Sequence, residues 1–184
     1  PIDNNLKSSK TNEFRLLEEV MQNASVKIKQ LNEDLSDREK ILRSNLLIRL
    51  LYGTIHLNDE LNLLNRYIPQ LADDCIILLV RSSCCVNDDK INLVCLAMHE
   101  RLLNNFPQDC VMTYLDSTKT AILVPNTQTC IKHITKVIHQ IGAIMNQHGI
   151  LLRAGASDSF SGEGGARNAF FQAQIGLDMA QSTD

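Results

Sequence analysis

The chain has 184 residues, 44% of them apolar, enough for one ordinary hydrophobic core with an elongated extension beside it. Its 18 basic and 21 acidic side chains give a slightly acidic balance, which excludes this segment as a direct contact surface for DNA or RNA. No apolar run reaches the roughly 18–20 residues of a membrane span, and the start, PIDNNLKSSK, has no signal-peptide core. The opening on Pro1 and the finish at Asp184, soon after a helical pattern, lead to the expectation of a piece of a larger protein.

From Phe14 the apolar positions run Phe14, Leu17, Met21, Ala24, Ile28, Leu31 and Leu35 in alternating steps of three and four, with mostly Glu, Lys, Gln, Asn and Asp between them. No Pro or Gly lies between Pro1 and Gly53, so the spacing predicts a long helix with a narrow seam. A surface helix lying on its own domain is the competing reading, but such helices carry a wider apolar stripe. The seam is therefore assigned to parallel homodimerisation. Arg38 takes the next seam position, after which the apolar set moves to Ile41, Leu42, Leu46, Leu47, Leu50 and Leu51. That wider stripe suits a helix leaving a coiled coil to pack on a globular body, and the register break at Arg38 is where a signal would act. Residues 1–40 are expected to form the signalling helix and 41–184 the domain.

Gly53 is expected to end the helix, and HLNDELNLLNRYIPQLA predicts a short second helix with Asn58 as N-cap, stopped by Pro69. CIILLVRSS reads as a buried central strand, and DKINLVCLAMHERLLNNF as a helix on Ile91, Val94 or Cys95, Met98, Leu102 and Phe106. CVMTYL and TAILV flank the polar turn DSTK as a hairpin. TQTCIKHITKVIHQIGAIMNQH predicts a helix with Ile131, Ile134, Ile138, Ile141 and Met145 on one face, ended at Gly149; ILLRAGAS is a further strand, and SFSGEGGARNAFFQAQIGLDMA leads into a last helix. The order is strand, helix, strand, strand, helix, strand, helix. This predicts an α+β fold of the split βαβ kind, a mixed sheet containing antiparallel pairs with crossover helices on one face.

The six cysteines, Cys75, Cys84, Cys85, Cys95, Cys110 and Cys130, form no C-x-x-C pair and mostly lie in apolar runs, as free thiols in a reducing cytoplasm do. Adjacent Cys84 and Cys85 lack a second pair at ligand spacing, so no metal is assigned. His133, His139 and His148 have no carboxylate or cysteine cluster beside them and read as solvated or partly buried imidazoles. The loop SGEGGARNAF fails as a phosphate cradle. Gly164 and Gly165 lead into Ala166 and Arg167 after the last strand, where a dinucleotide fingerprint or a P-loop would need other residues and another place; only the general anion attraction of a helix start, near Arg167, remains.

The element order, with a hairpin in its middle and a helix after the fourth strand, is similar to the GGDEF domain of diguanylate cyclases. In those enzymes a glycine-bearing acidic turn brings backbone to the substrate phosphates and holds divalent metals. Here that place reads YLDSTKTAIL, Tyr114 to Leu123, without glycine and with Asp116 alone acidic; Arg81, Ser82 and Ser83 stand where a second metal-binding aspartate is expected. Asp88 and Asp89 read as the cap and first turn of the following helix. The chain resembles more closely the degenerate GGDEF-like domains of bacterial transcription regulators. ILRSNLLIRLLYGTIHLNDELNLLNRYIPQL, Ile41 to Leu71, looks like their opening segment. RAGASDSFSGEGGARNAFFQAQIGLDMA, Arg153 to Ala180, looks like their closing strand, turn and helix, with Phe170, Gln172, Ala173, Leu177 and Ala180 on the final face. Together with the preceding helix this resembles the region after the second transmembrane helix of membrane-anchored AraC-family regulators.

That resemblance implies a non-catalytic, dimerising relay without a cofactor: a cytoplasmic portion of a membrane-anchored protein, reaching the membrane through an upstream span and DNA through a C-terminal helix-turn-helix domain, both outside this chain. Three alternatives stand beside it. One is a nucleotide cyclase or phosphotransferase using Asp116, Asp88 or Asp89. Another is a small-molecule or nucleotide-binding module at Asp116, Ser117, Thr118 and Lys119, with Lys119 meeting a phosphate as a point charge; the plain reading of those four residues is a polar hairpin turn. The third is a response regulator with a receiver domain upstream.

Overall fold

In a computed structural model, residues 3–55, 58–84, 100, 105–107 and 109–180 are described, residues 3–20 and Cys84 by their backbone alone. The chain divides into two units, Pro1–Ile41 and Leu42–Asp184. The first unit holds most of helix α1 (Asp3–Leu51), which is 49 residues long, as a segment free of Pro and Gly allows. From Met21 to Ile41 its described side chains are all exposed.

In the second unit the last turns of α1 bury Leu46, Leu47, Leu50 and Leu51. Gly53 then stops the helix with a left-handed φ of 66°. Its N–H donates to the Leu50 carbonyl at 3.1 Å and that of Thr54 to the Arg49 carbonyl at 2.9 Å, the paired bonds of a Schellman stop. Helix α2 (Asn58–Tyr67) follows, beginning at the residue expected as its cap, and a 3₁₀ turn, Pro69–Ala72, leads into the sheet. Arg49 fastens this corner through an ion pair with Glu60 at 2.6 Å, and Arg43 Nε donates to the Tyr67 carbonyl at 2.7 Å.

The four described strands are β1 (Cys75–Cys84), β2 (Val111–Tyr114), β3 (Lys119–Pro125) and β4 (Ile150–Ala156), in the spatial order β2-β3-β1-β4. Every neighbouring pair is antiparallel, so among the described strands the sheet is not the mixed one expected. The cause is insertion: β3 lies between the parallel strands β1 and β2, and β1 between the parallel strands β3 and β4. The unit β3–α3–β4 is thereby a split βαβ unit. β1 is central and buried on both faces, in keeping with its continuous apolar run. Ile77 and Leu79 point to one side, Leu78 and Val80 to the other.

Helix α3 (Gln128–Asn146) crosses over between β3 and β4 and covers the side of Leu78, Val80, Ile122 and Val124. Its buried positions are Ile134, Val137, Ile141 and Met145. Val137, not among the residues expected on this face, is buried with them, whereas Ile131 in the first turn stays exposed and Ile138 is half-buried against the same core. The helix expected over Ile91–Phe106 falls largely outside the described residues; Phe106 packs against the α3 side.

The opposite side of the sheet receives the end of α1, α2 and helix α4 (Gly162–Met179). α4 buries Ala166, Ala169, Phe170, Ala173 and Leu177, and its small residues let it lie close on β4. A Cβ on Gly155 would come within 2.3 Å of the Ala173 carbonyl oxygen and the Leu177 nitrogen. Gly176 faces the same crossing, where an added Cβ would lie 3.6 Å from the Gly155 Cα. Of the expected final face, Phe170, Ala173 and Leu177 are buried, whereas Gln172 is exposed and exchanges hydrogen bonds with Asp158.

Replacing Gly155 with Ala forces backbone apart in the interior and is expected to lower unfolding stability by about 3 kcal/mol. Gly164→Ala adds a methyl in open space within α4 and is expected to raise stability by about 0.5–1 kcal/mol. Chemical denaturation of both variants checks the opposite signs.

Candidate functional site

The polar hairpin turn between β2 and β3 organises itself around one carboxylate. Asp116 Oδ1 accepts hydrogen bonds from the Thr118 N–H, the Thr118 hydroxyl and the Lys119 N–H, each at 2.8 Å. The Leu115 N–H donates to the Lys119 carbonyl at 2.9 Å and closes the hairpin. An aspartate folded back on its own following residues is an ordinary turn device. Partial burial pushes the Asp116 carboxyl up, but the bonds from Thr118 and Lys119 and the Lys119 charge outweigh it and hold the group below its usual value.

The four turn residues expected as ligand contacts are therefore brought together, but largely toward one another. Ser117 is exposed at the tip. The Thr118 carbonyl accepts from the Ser82 N–H at 2.9 Å, tying the turn to the end of β1. Lys119 begins β3 instead of belonging to the turn, and its ammonium donates to Gln174 Oε1 on α4 at 3.0 Å. Gln174 Nε2 in turn donates to Asp178 Oδ1 at 2.8 Å, and Arg81 Nη1 lies 4.0 Å from the same oxygen.

A chain of contacts thus runs from the turn through Lys119 and Gln174 to Asp178 and back to the sheet at Arg81. The register places Lys119 opposite Arg81 on one side and Arg153 opposite it on the other, so three cations stand in a row across β3, β1 and β4. Arg153 Nη1 donates to Ser83 Oγ at 3.0 Å. The row lies on the α4 side of the sheet, near the C-terminal end of that helix, where its negative pole favours positive charge. In the sequence Arg81 marks only the place of an absent aspartate, and Gln174, Asp178 and Arg153 belong to no motif of known chemistry. The four-residue spacing of Gln174 and Asp178 on one helix face was the available signal.

The seam residues are the second site. Phe14 and Leu17 fall where only the helical backbone is described. Met21, Ile28, Leu31 and Leu35 are between 54% and 70% exposed, and Ala24 is exposed with them. A single copy of the chain leaves this stripe in water.

Burial, reinforced by Asp73 and Asp74, pushes the Cys75 thiol up to about 11; burial, then Cys130, Asp109 and Cys75, pushes Cys110 up to about 12. Both are protonated at neutral pH and poor nucleophiles. His133 Nε2 bonds to the Asn105 carbonyl at 2.9 Å. Among the described residues no three His, Cys, Asp or Glu side chains converge to hold a metal, and no helix is long and apolar enough to cross a membrane. Cys85, Cys95, Asp88 and Asp89 lie outside the described residues. At the glycine-bearing loop, Gly165 packs against the Phe160 ring, and Arg167 lies over the Phe171 ring at 5.8 Å and against Gly53. No family model matches the sequence, and no curated protein matches it.

Because the folded Asp116 carboxyl sits below its usual value, its stabilising effect is present above the unfolded pKa of about 3.9 and is lost as pH falls through the folded value. Asp116→Ala is expected to lower the thermal midpoint at pH 7. Melting curves taken down the acid limb should show the gap from the parent chain closing below about pH 4.

Proposed function

We propose that this chain is a dimerising, non-catalytic relay of the GGDEF-like kind found in AraC-family regulators. In this reading a sensor changes the relation between two paired α1 helices, and the second unit passes the change on through α4. The observation that carries it is the stripe Met21, Ala24, Ile28, Leu31 and Leu35. It is exposed along one helix whose last turns, Leu46 to Leu51, are core of the following unit. An apolar heptad seam in water has a ready use in pairing with its copy, and a helix shared between a seam and a core is a direct mechanical link.

Such a relay needs two arrangements of the paired helices that differ by only a few kcal/mol, so that a ligand's differential affinity tips the balance. Arg38, at the seam position before the stripe joins the core, is the natural place for the alternatives to diverge. A catalytic role has little to draw on. The hairpin turn lacks glycine, and one oxygen of its aspartate is engaged by Thr118 and Lys119. On the resemblance to membrane-anchored regulators, a sensor and membrane span precede Pro1, and a helix-turn-helix domain follows Asp184. Sequence upstream of Pro1 separates that arrangement from a receiver-bearing regulator.

A second reading, an anion- or nucleotide-binding regulatory module, is favoured by the row Lys119, Arg81 and Arg153. An anion there would draw the Lys119 ammonium from Gln174 and slacken the tie between turn and helix. A thermal-shift series with nucleotides and cyclic dinucleotides tests it, since a ligand at 100 times its Kd adds about 2.7 kcal/mol of stability.

For the relay itself, the expected outcome of Leu31→Asp with Leu35→Asp is a chain that sediments as a monomer at low micromolar concentration with its melting transition kept. A dimer that persists there removes the seam as the dimerising element.

A further inference from the structure

α4 has a second apolar face, turned away from the sheet. Phe171, Ile175 and Met179, spaced at i, i+4 and i+8, are 51%, 61% and 65% exposed. The spacing makes one ridge on one side of the helix, opposite the arc of Ala166, Ala169, Ala173 and Leu177 that packs on the sheet. The small or short residues Gly164 and Asn168 lie beside the ridge toward its N-terminal end, leaving room there.

The charges that flank this ridge favour one occupant. Arg167 and Asp178 lie on the same flank of the helix, since eleven residues at 3.6 per turn return close to the starting angle. Arg167 stretches over the Phe171 ring, and the Asp178 side chain is about half exposed. When two identical helices pack face to face and antiparallel about a two-fold axis, matching flanks meet, and each residue opposes the one equally far beyond the midpoint. The midpoint between Arg167 and Asp178 and that between Phe171 and Ile175 fall within one residue of each other, near Ala173. A single axis therefore sets Phe171 against Ile175, Met179 against Asn168, and Arg167 against Asp178, each contact occurring twice.

We infer that the outer face of α4 is a docking surface for the same face of a second copy of this chain, packed antiparallel. In a parallel arrangement the charged flank would meet the opposite flank, which carries Gln172 and no charge. The cationic Arg167 also disfavours an arginine- or lysine-rich partner at that end. The inference rests on α4 alone and is independent of the coiled-coil assignment.

The test uses the whole chain with Leu31→Asp and Leu35→Asp, so that any pairing through α1 is weakened, in sedimentation equilibrium from micromolar to high micromolar concentration. Weak self-association is expected, reduced about tenfold or more by Ile175→Ser, as for a central interface residue. Arg167→Asp and Asp178→Lys prepared separately should each self-associate less than the parent, because each places like charges opposite. Mixed, the two variants should associate with each other, because both cross-pairs are then attractive. That recovery also separates a contact between copies from damage to the Asp178 contacts with Gln174 and Arg81 inside one copy. A chain that stays monomeric throughout, a loss in Ile175→Ser smaller than twofold, or a mixture no tighter than its separate variants overturns the inference. Failure of the seam would show instead as a tight dimer that survives the two α1 substitutions and is indifferent to Ile175→Ser.

Discussion

The backbone contact between α4 and β4 at Gly155 is the constraint on which the second unit depends. A helix normally rests on a sheet with side chains as spacers. Here Gly155 supplies none, Gly176 none in return, and Ala166, Ala169 and Ala173 supply little, so the Leu177 backbone sits against the strand. This close seating brings the final turns of α4 within reach of the sheet's polar end. There Lys119 meets Gln174, and Arg81 approaches Asp178. It also fixes the helix rotation, which leaves Phe171, Ile175 and Met179 in water. A bulkier strand residue would lift the helix and loosen the polar chain at the same time.

Much of this fold could be read from the chain because its signals were local. The Phe14 to Leu51 stretch without Pro or Gly, the apolar run from Cys75, the two stops at Gly53 and Gly149 and the polar turn after Tyr114 each announce an element through periodicity or turn chemistry. What escaped depended on which residues meet across space. The fully antiparallel pairing follows from strand insertion, which no single segment encodes. The burial of Val137 and exposure of Ile131 likewise depend on what each meets outside its own helix.

The candidate site divides in the same way. Asp116, Ser117, Thr118 and Lys119 stood out because they are polar and contiguous, but what they do depends on Gln174 and Asp178, far along the chain. A carboxylate drawn inward by its own turn looks the same in sequence as one presented to a ligand. The heptad spacing of the stripe is a local pattern that sequence displays directly, and the side chains of Met21, Ile28, Leu31 and Leu35 are exposed. Arg167 illustrates the opposite case. At the sequence level it lay beside an anion-attracting helix start, whereas in the fold its chain covers the glycine that ends α1 and its guanidinium lies over Phe171.

The Schellman stop at Gly53 bears on the order in which the molecule forms. Leu46, Leu47, Leu50 and Leu51 belong to the same core as Ala169, Phe170 and Ala173, and Tyr52 meets the Phe170 ring edge-on at 5.6 Å. Those partners leave the ribosome long after α1 does. The N-terminal part of α1 can therefore become helical while the rest of the chain is still being synthesised, whereas its last turns keep their leucines open until α4 arrives. Contacts between chain segments so widely separated are the slow part of folding. The core of the second unit therefore closes only after nearly the whole chain has been made.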